Sequence, residues 1–115
     1  VTSDPPGAWE VIVVPFPHSE RLAEKRRPAV VVSNAALDAA GAIWIAMITG
    51  AGKPRRPGDI DVADLRGAGL PGASMVRTSK LATIDASRVL KRAGRLAAKE
   101  RRAVAAAVSG FLADP

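Results

Sequence analysis

In GRLAAKERRAVAAAVSGFL, residues 94–112, the apolar side chains begin to recur at three- and four-residue spacings. After Gly94 the run is rich in alanine and sparing of β-branched residues. Leu96, Val104, Ala107, Val108, Phe111 and Leu112 fall mainly on one stripe, with Arg95, Lys99, Arg101 and Arg102 mostly off it. That pattern predicts a C-terminal helix of about four turns.

Upstream the period is that of strands. Val11-Ile12-Val13-Val14, after Trp9, reads as a first strand buried on both faces for part of its length. Pro15-Phe16-Pro17 is expected to stop it, because each proline lacks a donor and restricts its predecessor. Residues 18–27 read as a mobile charged loop, and Pro28 opens a second strand through Ser33. Arg27 therefore falls at a loop-to-strand junction, where a long side chain is well aimed. A connection over 33–42, with Asn34 or Asp38 as turn cap, leads to the strand Ile43–Thr49, closed by Gly50-Ala51-Gly52. Lys53–Gly58 reads as a second exposed loop, Asp59–Val62 as a short alternating strand and Leu65–Gly72 as turn-rich. Ser74–Thr78 reads as a further strand, with Lys80–Ile84 beside it. Five or more short strands followed by one helix describe a mainly β domain, a small twisted barrel or curled sheet closed by a C-terminal helix. Residues 1–8 are expected to be a flexible leader and 9–115 a single domain.

The 115 residues suit one domain and exclude a two-domain enzyme or a closed TIM barrel. Hydrophobic residues make up 48%, but 23 are alanines, which add little buried area each, so the core is expected to be thin. Burial between subunits is a natural supplement, which points to a homodimer. The absence of cysteine excludes disulfides, a thiol nucleophile and Cys-ligated metals, and a single histidine excludes a multi-histidine site. No signal-peptide pattern and no apolar run of ~20 residues is present, so a cytoplasmic protein without membrane attachment is expected. The net charge of +6 is uneven. Residues 1–75 hold eight basic and eight acidic side chains, whereas 76–115 hold nine basic and three acidic. With Lys25-Arg26-Arg27 and Lys53, Arg55 and Arg56 as further clusters, the balance fits a polyanionic partner.

Among candidate site residues, His18 lacks a carboxylate at fixed spacing and is expected to be exposed and inert. Arg27 is either the last member of a solubilising cluster or a guanidinium placed to bind phosphate through two parallel hydrogen bonds. Thr49 closes its strand before glycine, where its hydroxyl and neighbouring amides suit a phosphate oxygen. Arg77 alternates with Met75 and Ser79 on one face, which reads as a groove or a subunit seam. Lys80 and Arg92 carry weaker signals. Asp59, Asp61 and Asp64 lack the pattern of a calcium loop, and alternation places Asp59 and Asp61 toward solvent, so no metal and no cofactor is expected. Dinucleotide, Walker and zinc-finger motifs are absent.

The stretches Val13–Pro17, Lys25–Ser33, Ala46–Thr49 and Val76–Leu81 with Thr83-Ile84-Asp85, in this order, resemble the MazF/PemK family of type II toxin–antitoxin toxins from about Trp9 to Leu112. The resemblance implies an SH3-like curled barrel that forms a homodimer. It also implies a sequence-specific endoribonuclease cutting single-stranded RNA, often messenger RNA, without a metal. In that chemistry the ribose 2′-hydroxyl attacks the adjacent phosphorus to leave a 2′,3′-cyclic phosphate and a 5′-hydroxyl. By resemblance Arg27 transfers a proton or stabilises phosphorus, Thr49 orients phosphate and Arg77 stabilises charge. The high pKa of arginine favours the electrostatic role for Arg27. Where several members place a carboxylate two residues after that arginine, this chain has Ser79, and Trp9 replaces the usual glycine before Glu10. Lys25, Arg26, Lys53, Arg55, Arg56, Ser79 and Lys80 are the expected RNA contacts, and a small antitoxin with an acidic disordered segment is the expected partner. A weak or inactive relative that binds RNA or an antitoxin peptide, and a DNA- or gyrase-directed toxin, are the alternatives.

Overall fold

The computed structural model describes residues 4–16 and 25–115. Its strands are β1 (Glu10–Phe16), β2 (Lys25–Val31), β3 (Ala42–Gly50), β4 (Asp59–Asp61), β5 (Ser74–Asp85) and β6 (Lys91–Arg95). A one-turn helix α1 (Leu65–Ala68) follows β4, and the C-terminal helix is α2 (Ala98–Gly110). The strands form one antiparallel sheet in the order β4-β5-β3-β2-β1-β6. This is the mainly β domain with a C-terminal helix that the change of period predicts. No described helix is long and apolar enough to cross a membrane.

Both faces of the sheet are apolar. Alternation along β3 sends Ala46 and Ile48 to one face, where they pack with Val11, Val30, Val76, Leu96 and Val104, and α2 covers them. Ile43, Ile45 and Met47 point to the other face and pack with Ile12, Val14, Ala29, Val31 and Ile84, with Ala82, Ala86 and Val89 closing over the edge of this cluster. Each fully buried Val or Ile contributes about 2 kcal/mol of transfer free energy.

The outer strands β4 and β6 do not pair with each other. Instead α1 packs on β6, and two glycines let the backbones touch. A Cβ on Gly94 would lie 2.3 Å from the Gly67 carbonyl oxygen, and one on Gly69, at φ 70°, would lie 2.1 Å from the Ala93 oxygen. Buried Glu100, in the first turn of α2, accepts hydrogen bonds from the Ala63 and Asp64 amides at 3.0 and 3.4 Å and so ties the helix to the β4–α1 corner.

Several local expectations are corrected. β1 runs through Pro15, whose partner is Arg26, and ends on the Phe16–Lys25 pair. Pairing survives because β6 accompanies β1 only from Glu10 to Val13, so Pro15 lies where one side of the strand needs no donor. For the same reason Pro28 does not open β2. It marks the point where β2 parts from β3, whose pairs run only from Ala29 to Val31, and Lys25–Arg27 are strand rather than loop. Ser74–Thr78 and Lys80–Ile84 are not neighbours but one 12-residue strand, and Thr78, Ser79 and Lys80 bulge between the Ala46–Leu81 and Met47–Arg77 pairs. The charged β6 gave no strand signal. The helix is shorter than its apolar stripe, with Leu96 buried ahead of it and Phe111 and Leu112 exposed beyond it. Asn34 does cap a turn, its side-chain oxygen accepting from the Ala36 amide at the start of a 3-10 helix over Ala35–Ala40. Within the expected leader Pro6 is buried, and Arg92 donates to the Asp4 carbonyl at 3.0 Å.

Because the contact at Gly94 is backbone against backbone, Gly94→Ala is expected to lower unfolding stability by about 3 kcal/mol in urea melts. Gly52→Ala, at a position open to space, is expected to change it by less than about 0.5 kcal/mol.

Candidate functional site

Arg27, Thr49 and Arg77 come from three neighbouring strands and point to one face. Arg27 pairs with Val14 and shares the side of Ala29, while Arg77 lies opposite Met47. Extending the Ala29–Met47 register by two residues brings Arg27 level with Thr49. With strands about 4.8 Å apart, β2 and β5 are separated by about 10 Å across β3, a span that one phosphodiester and its flanking ribose can bridge. Thr49 is buried, and Arg27 is half-buried. The Nε of Arg27 is itself buried and has no hydrogen-bond partner among the described residues. A buried donor left unmatched is costly and is best satisfied by an incoming anion.

Arg77 is differently placed. Its Nε and Nη2 donate to the two carboxylate oxygens of Asp59 at 3.2 and 3.0 Å, and Nη2 also donates to the Pro54 carbonyl at 2.8 Å. The Asp59 side chain is 1% exposed, which corrects the expectation that it faces solvent. The guanidinium holds the Asp59 carboxyl below its ordinary pKa against the opposing effect of burial. Next to this pair the Thr78 hydroxyl donates to the Gly58 carbonyl at 2.7 Å. Arg77 and Thr78 thus pin the Lys53–Gly58 segment to β5. Neither Asp59 nor Thr78 was singled out as a site residue. Only the strand register, which sets Asp59 opposite Arg77, reveals its role. Asp61 pairs with exposed Arg55 at 3.0 Å, and Asp64 accepts from the Gly67 amide at the start of α1, so each of the three aspartates has its own partner.

The model of a family described as PemK-like, MazF-like toxin of type II toxin–antitoxin system matches residues 8–112. The chain belongs to this family. Among solved structures it is similar to MazF from Deinococcus radiodurans, at 21% identity and TM-score 0.75, over 95% of this chain and 97% of that one. It is similar to the Mycobacterium tuberculosis toxin MazF-mt6, at 19% identity and TM-score 0.69, over 88% and 93%. An endoribonuclease solved with its cognate antitoxin, from a mycobacterial species, matches at 14% identity and TM-score 0.72, over 95% and 99%. At these identities the likeness shows the fold. Among curated proteins, none matches the chain.

In this PemK/MazF-like toxin most of the remaining sequence candidates flank these three residues, whereas Arg92, on β6, is held by Glu10 and the Asp4 carbonyl. Lys25 and Arg26 are exposed beside Arg27, where β1 and β2 still pair with each other but no longer with β6 and β3. Lys53, Arg55 and Arg56 are exposed on the pinned segment, Ser79 is exposed in the β5 bulge, and Lys80 is half-buried beside it with its own partner. His18 lies outside the described residues. A concavity of about 740 Å³ among the described residues, lined by Pro5, Pro6, Asp38, Asp85 and Leu90 among others, includes none of Arg27, Thr49 or Arg77.

The Arg77–Asp59 pair makes stability depend on acidity with a definite sign. Asp59 has a lowered pKa in the folded state, so its contribution is fully present above the ordinary carboxylate range and is lost as pH falls through the folded value. Asp59→Asn leaves Arg77 buried without its counter-charge and is expected to cost about 3 kcal/mol at pH 7. Urea melts at descending pH are expected to show the gap to the parent closing below about pH 3.9, the ordinary carboxylate value, as the parent's own Asp59 takes up a proton.

Proposed function

We propose that this toxin is a sequence-specific endoribonuclease that cuts single-stranded RNA, chiefly messenger RNA, in the cytoplasm without a metal ion. The observation that carries the reading is the buried Nε of Arg27, without a hydrogen-bond partner among the described residues and level with Thr49, near the exposed cations. In the proposed reaction the 2′-oxygen of one ribose bonds to the adjacent phosphorus and the bond from phosphorus to the 5′-oxygen breaks. One proton leaves the 2′-oxygen and one arrives at the 5′-oxygen, giving a 2′,3′-cyclic phosphate and a 5′-hydroxyl. The substrate supplies its own nucleophile, so the protein's share is positioning and charge stabilisation. Arg27 stabilises the pentacoordinate phosphorus and Thr49 orients the phosphate. Arg77 adds a second guanidinium whose charge Asp59 partly offsets, so Arg27 carries the larger electrostatic share. Lys25, Arg26, Lys53, Arg56, Ser79 and Lys80 would hold the flanking strand, with Arg55 shared between RNA and Asp61.

The active form in this proposal is a homodimer. Trp44 and Leu81 are 52% and 48% exposed, and register places them diagonally on neighbouring strands of the α2-covered face. Leu112, 75% exposed at the end of α2, adds further apolar surface for a second copy to cover. The partner that silences the toxin is a small antitoxin whose acidic segment covers the exposed cations around Arg27. Support comes from the charge of those side chains and from the solved MazE–MazF complex of D. radiodurans and the mycobacterial endoribonuclease–antitoxin complex.

Cleavage of a defined RNA is expected to persist in excess EDTA and to stop when the ribose at the cut is replaced by deoxyribose. Under single-turnover conditions at saturating RNA, Arg27→Ala is expected to lose at least about 100-fold in rate, whereas Lys53→Ala acts mainly on affinity. A folded, dimeric Arg27→Ala that keeps the parent rate, or unchanged cutting of the deoxy substrate, overturns the reading.

A further inference from the structure

The Asp59 carboxylate is held from two sides. Its oxygens accept from Nε and Nη2 of Arg77 at 3.2 and 3.0 Å, and Oδ2 also accepts from the Arg56 amide at 2.8 Å. The Asp59 amide in turn donates to the Arg56 carbonyl at 3.1 Å, and register sets the residue directly opposite Arg77 on β5. Backbone and side-chain bonds together fix where this carboxylate sits.

The same bonds use up one edge of the Arg77 guanidinium. Nε has a single hydrogen, which goes to Asp59, and the two hydrogens of Nη2 go to Asp59 and to the Pro54 carbonyl. Nη1 makes no hydrogen bond to a described residue. It is not buried either, because the Nε of Arg27 is the one buried side-chain nitrogen or oxygen among the described residues that lacks a partner. The guanidinium is rigid and planar, so fixing one edge fixes Nη1 as well. In a side chain that is only 8% exposed, Nη1 is the donor group that remains for a ligand. Register puts Arg77 on the face of Met47, which is also the face of Arg27 and Thr49.

Holding the 53–58 segment does not by itself call for this pair. The Thr78–Gly58 bond is a neutral tie from the next residue of the same strand, and a buried ion pair adds little net stability over neutral packing. What the pair adds is direction. We propose that Asp59 is a positioning residue for RNA cleavage: it turns Arg77 so that the two N–H groups of Nη1, and no other donor of that side chain, meet a phosphate oxygen held beside Arg27 and Thr49. The proposal rests on the ribonuclease reading above and deepens it. With its side chain 1% exposed, Asp59 touches no substrate, and its charge has the same sign as that of the RNA. Its benefit to the reaction is therefore one of geometry.

The test compares single-turnover rates at saturating RNA with equilibrium binding of the same RNA made non-cleavable by one deoxyribose, for variants whose melts show them folded. Asp59→Asn offers Arg77 one acceptor where two are needed and sets an amide N–H group against Nη2. It is expected to lose about tenfold in rate. It is also expected to bind the non-cleavable RNA at least as tightly as the parent, because a negative charge near the phosphates has gone. Arg77→Ala is expected to lose at least as much rate, and adding Asp59→Asn to it should lower the rate by less than about twofold more. If Asp59→Asn fails to fold, Arg77→Lys decides the question. It keeps both charges but lacks the fork, and is expected to lose about tenfold in rate with affinity within about threefold of the parent. A parent-like rate in Asp59→Asn, or in Arg77→Lys where that variant decides, overturns the proposal. So does a fully additive loss in the double variant, or a loss of affinity in Asp59→Asn, the mark of a displaced 53–58 segment whose cations no longer reach the strand. Each of these results leaves the ribonuclease reading standing, whereas a parent protein that cuts no RNA overturns both.

Discussion

A strand buried on both faces and paired on both edges is the constraint from which this molecule is built. β3 meets it over Ile45–Met47, where β2 and β5 supply the hydrogen bonds and two separate clusters take the side chains. Such a segment tolerates neither a charge nor a missing donor. Every irregularity is therefore displaced to its neighbours: Pro28 sits where β2 leaves β3, Pro15 where β1 has lost β6, and the bulge lies on β5. The bulge also decides orientation. Arg77 and Leu81 are four residues apart and would share a face in a regular strand. The three extra residues instead put Arg77 on the face of Met47 and Leu81 on the face of Ala46. One insertion thus separates the polar end of the sheet from the apolar patch around Trp44.

The cations at that polar end are not equivalent. Arg77 has a buried carboxylate on two of its nitrogens, Arg55 has an exposed one, and Arg27 has a buried nitrogen with no partner among the described residues. A buried ion pair is weak evidence for net stability but strong evidence for geometry, since removing one member strands the other. The pair therefore explains how a glycine- and proline-bearing segment is held against β5, and it leaves Arg27 as the donor whose desolvation has still to be offset.

Legibility in the sequence followed the source of each element's stability. β3, α2 and the Asn34 turn were readable because their own residues carry the signal: β-branched runs, helical spacing, a side-chain cap. The three residues Arg27, Thr49 and Arg77 could be named, but only the register shows that they share a face. β6 was not readable. Lys91-Arg92-Ala93-Gly94-Arg95 has no β-branched residue and is a strand because Glu10–Val13 offers an open edge and Gly94 lets α1 approach. The role of Asp59 was hidden likewise. Alternation is sound for an edge strand over water, but β4 lies beside β5, and the face judged exposed is the one on which Arg77 needs a counter-charge.

The alanine content joins these features. A core poor in aromatics fills its volume by close approach, which is what Ala68, Ala93, Gly94 and Gly69 do at the α1–β6 contact. The same scarcity leaves the large apolar side chains that do occur with unequal fates. Trp44 and Leu81 are half in solvent on the flat of the sheet, where only another large surface can cover them, whereas Trp9 is drawn onto the core at the price of a strained backbone.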